Sequence, residues 1–199
     1  MILLLRLVFG IFIFLLFPNL SPGIERTEPK MVYFPEGEFV MGSPIGQGKK
    51  NEHPQHKVYL NAFYLDKYEV TFLDFETYLT SNLEKYPTIT GWVDRKARPD
   101  MLNKPIFGLQ WKRCLNYCSW RGKRMPTEAE WERAAKGKES RIYPWGNKEP
   151  NKTLANYGNC CFIKKGKILT KIGFFINGNT PEGIADLGGN VAEWVSDWY

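Results

Sequence analysis

A single domain of short strands and short helices, low in regular structure, is the fold that the sequence predicts behind an apolar leader. Three observations predict it. Brief apolar runs bounded by turn residues read as strands early in the domain. Two well-capped helical patterns and a third, uncapped one occupy its middle. A long stretch rich in Gly, Asn, Pro and aromatics follows. Composition agrees: 43% hydrophobic and 24% charged residues over 199 positions supply one core. Seven Trp, ten Tyr and thirteen Phe exclude an intrinsically disordered chain. The 18 Gly and 13 Pro argue against a helix bundle, and the absence of a long-period repeat argues against a solenoid.

The leader comes first. Residues 2–17 are apolar except for Arg6 and Gly10, and Pro18, Asn19, Ser21, Pro22 and Gly23 break the run. It is short for a membrane span and of the right order for a signal-peptide core. Leu20-Ser21-Pro22-Gly23 offers no clean small-x-small cleavage site, so residues 1–23 read as a signal peptide or an uncleaved anchor. Either predicts export, with the domain periplasmic, secreted or N-terminally anchored. Residues 24–30 are a linker, and the domain occupies 31–199.

Met31–Phe34 and Glu38–Met41 read as strands either side of a Pro35-Glu36-Gly37 turn, and His56–Leu65 as a further strand region after a polar loop. Thr71 opens a helix, with Asp74 placed to reach back toward the cap and Phe72, Phe75 and Leu79 at helical spacing. Trp111, Cys114, Leu115 and Cys118 form an i, i+3, i+4, i+7 stripe, the buried face of a helix that stops near Gly122. The next helix is signed at both ends. Thr127 is its N-cap, Glu130 the capping-box partner, Pro126 precedes it and Gly137 follows it. Glu128 and Glu130 suit the positive end of its dipole, Lys136 and Lys138 the negative end, and Trp131, Ala134 and Ala135 face the core. Lys138 to Asp186 is mostly loop, a length that normally serves function or is held by ions or covalent links.

The net charge is +6 and the pI about 9.1. The basic residues are spread along the chain without a nucleic-acid-binding motif. No nucleic-acid partner is expected, and membrane contact only through the N-terminal segment. His53 and His56 lack chelating company and receive no ligand role. Of the four cysteines, Cys114–Cys118 within one helix and the vicinal Cys160–Cys161 are awkward disulfides. Cross-pairing of helix with loop is one reading, and small buried core residues for Cys114 and Cys118 the other. Asp186-Leu-Gly-Gly-Asn190-Val-Ala-Glu193 is more informative, because two carboxylates bracket a turn with bendable carbonyls. Calcium takes such mixed oxygen sets, although the pattern alone also describes a plain turn.

Five stretches, in order, resemble the formylglycine-generating enzymes, also called sulfatase-modifying factors. They are Met31-Val-Tyr-Phe-Pro-Glu-Gly-Glu-Phe-Val-Met-Gly-Ser43; Glu52-His-Pro-Gln-His56 with Phe63-Tyr-Leu-Asp-Lys-Tyr-Glu-Val-Thr71; Gly122-Lys-Arg-Met-Pro-Thr-Glu-Ala-Glu-Trp-Glu132; Tyr143-Pro-Trp-Gly146; and Gly188-Gly-Asn-Val-Ala-Glu-Trp-Val-Ser-Asp-Trp-Tyr199. The resemblance implies an irregular α+β domain with a C-type-lectin-like core. Active members are copper-dependent oxidases that use oxygen to convert a Cys in a short sulfatase motif to formylglycine. They also carry structural calcium. One calcium site falls on Asp186, the carbonyls of Gly189 and Val191, and Glu193. The other reaches only Asn156 and the Tyr157 carbonyl, with no acidic residue between Cys160 and Asn177 to complete it, and with Lys164, Lys165, Lys167 and Lys171 unfavourable for a cation.

The copper-binding cysteines of active members lie beyond the Asp-Trp-Tyr block, and none of the four cysteines here occupies a matching position. The expectation is a domain incomplete at its C-terminus, lacking copper ligands and inactive as an oxidase. Strands missing from that end would leave an open sheet edge and part of the core exposed. The partner implied is a sulfatase-type polypeptide or another exported protein. The alternative is a non-catalytic exported binding module for peptide, glycan or protein on the same fold.

Overall fold

The structure is a computed structural model, and it describes residues 31–157 and 169–198. Its elements are β1 (Met31–Phe34), β2 (Gly37–Met41), β3 (His56–Leu60), β4 (Phe63–Asp66), α1 (Phe72–Ser81), β5 (Trp92–Val93), β6 (Lys96–Ala97), α2 (Trp111–Trp120) and α3 (Glu128–Lys136). The mixture is α+β with few regular elements. Beyond α3 the described residues form a single short 3-10 turn, Ile176–Gly178, as the loop-rich sequence implies.

The strands pair less locally than their spacing suggests. β1 runs antiparallel to β4, from Met31 opposite Asp66 to Phe34 opposite Phe63. β2 runs antiparallel to β3, from Gly37 opposite Leu60 to Met41 opposite His56. The Pro35-Glu36-Gly37 corner therefore moves the chain from one ladder to another and closes no hairpin. Gly37 has φ 141°, a conformation that side chains rarely adopt. The single strand region expected over 56–65 is two strands, divided at residues 61–62. A short β5–β6 ladder, Trp92 opposite Ala97, was not signalled by the sequence.

The core gathers around these ladders. Phe34 and Phe63 stack with ring centroids 4.9 Å apart and pack against Ala134, Ala135, Ile184 and Leu187. Ala134 and Ala135 bring α3 into this cluster, and α3 also packs along β2 and β3. Burying a Phe side chain stabilises by about 1.5–3 kcal/mol. α1 buries Phe75, Tyr78 and Leu79 against Tyr117 of α2, and Phe72 against Met101, Ala97 and Leu169.

Both predicted capping boxes are present. Asp74 N–H donates to Thr71 Oγ1 at 3.1 Å while Thr71 N–H donates to Asp74 Oδ2. Glu130 N–H donates to Thr127 Oγ1 at 3.1 Å while Thr127 N–H donates to Glu130 Oε2 at 2.8 Å. The stretch Gly122–Glu132 is also a set of bolts. Arg124 donates to both Glu130 oxygens at 2.6 Å, Lys123 pairs with Asp66 at the end of β4 at 2.6 Å, and Glu132 accepts from Gly42 N at 2.7 Å just past β2.

The reading of α2 needs correction. Its fully buried residue is Tyr117, and Trp111, Cys114, Leu115 and Cys118 are only half-buried. The reason is that Cys114 and Cys118 border a cavity, not packed core. Both are free thiols among the described residues; the loop half of the helix-to-loop pairing is not described. Cys160 and Cys161 lie outside the described residues. His53 and His56 are on the surface, each with one ring nitrogen on a backbone carbonyl, Gln47 O and Pro54 O.

Candidate functional site

The Asp186–Glu193 turn is built by tight packing and unusual backbone. Asp186 and Asn190 both have positive φ, 62° and 68°, and Gly189 N–H donates back to Asp186 O at 2.9 Å. The two glycines are required by contact. A Cβ on Gly188 would lie 2.5 Å from the Trp145 ring, and one on Gly189 would lie 2.3 Å from Asn156 O.

Asn190 is the hub of the turn. Its N–H donates to Asn156 O at 2.8 Å, its Oδ1 accepts from Thr170 N at 3.2 Å, and its Nδ2 donates to Glu69 Oε2 at 2.8 Å. Val191 N–H donates to the other Glu69 oxygen at 3.3 Å. Asp186 Oδ2 accepts from Gly173 N at 2.6 Å, and Glu193 accepts from Trp131 Nε1. Asn156, placed by the sequence in a separate ligand set, is thus a brace of this same turn. Tyr157 is exposed and donates its hydroxyl to Pro150 O at 3.1 Å. Residues 158–168, the rest of that set's loop, lie outside the described residues.

Three acidic side chains meet this turn, and their electrostatics are unfavourable as they stand. Burial pushes the Glu69 carboxyl up to about 9, and the charges of Glu193 and Asp186 push in the same direction. Burial also raises Asp186. Glu193 is raised by desolvation and by Asp186, but the residue is exposed on one side and water there tempers the shift. Among the described residues no ion pair reaches any of the three. Glu69 was not singled out by sequence. Its signal was an acidic residue inside the Lys67-Tyr-Glu-Val-Thr71 stretch that leads into the α1 cap.

Uncompensated buried carboxylates seek a cation, and the carbonyls of Gly189 and Val191 accept no hydrogen bond among the described residues. Among those residues no three His, Cys, Asp or Glu side chains converge on one point, so carbonyls must complete any oxygen shell. Carboxylate and carbonyl oxygens are the donor types that a hard cation takes. Copper does not fit the described thiols. Burial, then the neighbouring Cys118, pushes Cys114 up to about 11; burial, then Asp66, does the same to Cys118. At neutral pH both are protonated.

Beside the turn lies a mainly apolar cavity of about 510 Å³, bounded by β4, α1, α2 and residues 184–194. Glu69, Glu193 and the two thiols are on its wall. The final residues cross its rim: Trp194 Nε1 donates to Leu109 O at 2.9 Å, Trp111 Nε1 to Val195 O at 2.8 Å, and Ser196 N–H to Pro126 O at 2.8 Å.

The chain has relatives among known proteins. Residues 17–199 match the sulfatase-modifying factor enzyme 1-like domain. The chain belongs to that family. It is 31% identical over 229 residues to the mouse inactive C-alpha-formylglycine-generating enzyme 2, covering 92% of this chain and 73% of the relative. It is 30% identical over 234 residues to the bovine formylglycine-generating enzyme, covering 92% and 62%. It is also 36% identical to the Chlamydia pneumoniae serine/threonine-protein kinase pkn1, covering 88% of this chain and 30% of that protein. The chain thus spans about a third of the length of the kinase-named relatives. Among solved structures, PvdO from Pseudomonas aeruginosa superposes with a TM-score of 0.68 at 28% identity, covering 86% of this chain and 72% of that one. CarF, at 17% identity and TM-score 0.61, shares the fold. Among the described residues no helix is long and apolar enough to cross a membrane.

Proposed function

We propose that this sulfatase-modifying factor domain binds a polypeptide and does not oxidise one. The observation that carries the reading is the state of the described thiols. Cu(I) is selected by thiolates, and Cys114 and Cys118 are half-buried, protonated at neutral pH and set into an apolar wall. No oxidative step is assigned to them. The likeness to a mouse protein described as an inactive formylglycine-generating enzyme supports the same reading.

Calcium is the proposed structural ion. Asp186 and Glu193 would hold it through their carboxylates, and Gly189 and Val191 through their carbonyls. It would supply the positive charge that Glu69, Asp186 and Glu193 lack. Asn156 fixes the turn from behind. Export is proposed from the apolar run at 2–17, with an exported polypeptide, sulfatase-type or other, as the partner.

The test is turnover. The purified chain is mixed with copper, oxygen, a reductant and a sulfatase-motif peptide, and mass spectrometry follows the peptide cysteine. The expected result is unmodified cysteine. Repeated conversion to the aldehyde, lost in Cys160→Ser or Cys161→Ser, would overturn the proposal and make that pair the reacting site.

A further inference from the structure

We infer that Trp131 is a positioning residue for the cation turn: its indole N–H takes one oxygen of Glu193 and leaves the other for the ion. The inference rests on the calcium reading and names the residue of the Gly122–Glu132 stretch that serves it.

The turn does not fix Glu193 by itself. Residues 192–195 have no regular structure, and Glu193 is exposed on one side. A glutamate side chain on such a segment samples several rotamers, and freezing it onto a cation costs affinity. Trp131 removes that freedom in advance. Its Nε1 donates to Glu193 Oε2, the one hydrogen bond to this carboxylate among the described residues.

The donor is itself held from three directions. Trp131 N–H donates to Thr127 O at 2.9 Å, in the turn that follows the α3 cap. Its ring packs against the Phe34–Phe63 cluster. Glu132, the next residue, accepts from Gly42 N at 2.7 Å. A donor carried on a packed helix sets its partner's direction more firmly than one carried on a loop.

Asp186 is treated in the same way, because its Oδ2 accepts from Gly173 N at 2.6 Å. Among the described residues, Asp186 Oδ1 and Glu193 Oε1 accept no hydrogen bond. Donor and cation therefore use different oxygens and do not compete. One oxygen from each carboxylate, with the carbonyls of Gly189 and Val191, leaves the rest of a shell of about six to eight oxygens to water. So sparse a protein shell puts the dissociation constant at about 0.1–1 mM, the range of extracellular calcium modules. Loss of an outer partner of a metal ligand costs roughly ten- to a hundredfold in affinity.

The probe is calcium chloride, titrated calorimetrically into the metal-free full chain. Trp131→Phe keeps an aromatic ring in the cluster and removes the N–H donor. Trp120→Phe is the control, since it removes an indole from α2, where the ring meets Tyr78 and Tyr117. The expected result is wild-type affinity in the control and affinity weakened roughly tenfold or more in Trp131→Phe. A second measurement needs no variant. The indole N–H of Trp131 is followed by nitrogen-15 NMR of the wild type, assigned through its own backbone, and should exchange slowly both without and with calcium. Unchanged affinity in Trp131→Phe, or an equal loss in both variants, would overturn the inference. So would an indole proton that exchanges faster once calcium is bound, because the ion would then displace Trp131 from Glu193. In each of these cases the wild type still binds calcium and the calcium reading stands; a wild type that binds none would overturn both.

Discussion

Raising the pH in metal-free buffer should destabilise this domain through Glu69. The residue is 9% exposed, and its carboxyl is held up at about 9 by burial first and then by Glu193 and Asp186. In the unfolded chain it titrates near 4.5. Between those two values the folded state keeps a proton that the unfolded chain has released. Its contribution is therefore complete below the lower value, falls as pH rises through the window, and levels off above the upper one. At 1.36 kcal/mol per pH unit the window sets an upper bound of about 6 kcal/mol. A whole domain is stable by only about 5–15 kcal/mol, so the effect is large. Asp186 and Glu193 are raised as well, and contribute a fall of the same sign. The assay is urea unfolding followed by tryptophan fluorescence, stepped from pH 5 to 9 with EDTA present. The wild type should lose several kcal/mol. Glu69→Gln, which stays neutral and loses one hydrogen bond worth about 1 kcal/mol, should lose much less over the same range. A wild-type profile that is flat, or a variant with the wild-type slope, would refute the reasoning.

Other perturbations test the surrounding architecture. Thr127→Ala removes the α3 cap and should cost about 1 kcal/mol by chemical denaturation, with Arg124–Glu130 pairing retained. Gly189→Ala drives a Cβ into Asn156 O and should cost about 1–3 kcal/mol, read as a lowered melting temperature; an unchanged melt would mean that the turn is looser than its contacts indicate. Cys114 and Cys118, at about 11, should react with iodoacetamide at neutral pH roughly a hundredfold slower than an unburied thiol, as mapped by peptide mass. Rapid labelling of either would contradict their protonated, enclosed state.

What the sequence made legible was local. The two capping boxes each need only residues three apart, and Thr71–Asp74 and Thr127–Glu130 fall where the spacing places them. The Gly188-Gly189 turn was legible as a turn, because its residue types leave little else. Strand partners were not legible. β1 finds β4 across the whole β2–β3 ladder, and the choice depends on which strand can bring Phe63 onto Phe34 and α3. The α2 stripe misled for a related reason: periodicity marks an apolar face and cannot say whether packed side chains or a cavity lies against it. Glu69 escaped because its meaning depends on residues more than a hundred positions away, Asp186, Asn190 and Glu193. A lone Glu between Tyr68 and Val70 carries no such information.

The claim on which the site stands is that the Asp186–Glu193 turn is held by a cation, and calorimetric titration of the metal-free chain with calcium tests it most directly. The account predicts saturable binding at the turn that is lost in Asp186→Ala and in Glu193→Ala. With free calcium at a hundred times the dissociation constant, unfolding should be harder by about 2.7 kcal/mol in the wild type alone. No binding heat, together with identical melts in calcium and in chelator, would contradict it and leave the carboxylates around Asn190 as a turn held by hydrogen bonds only.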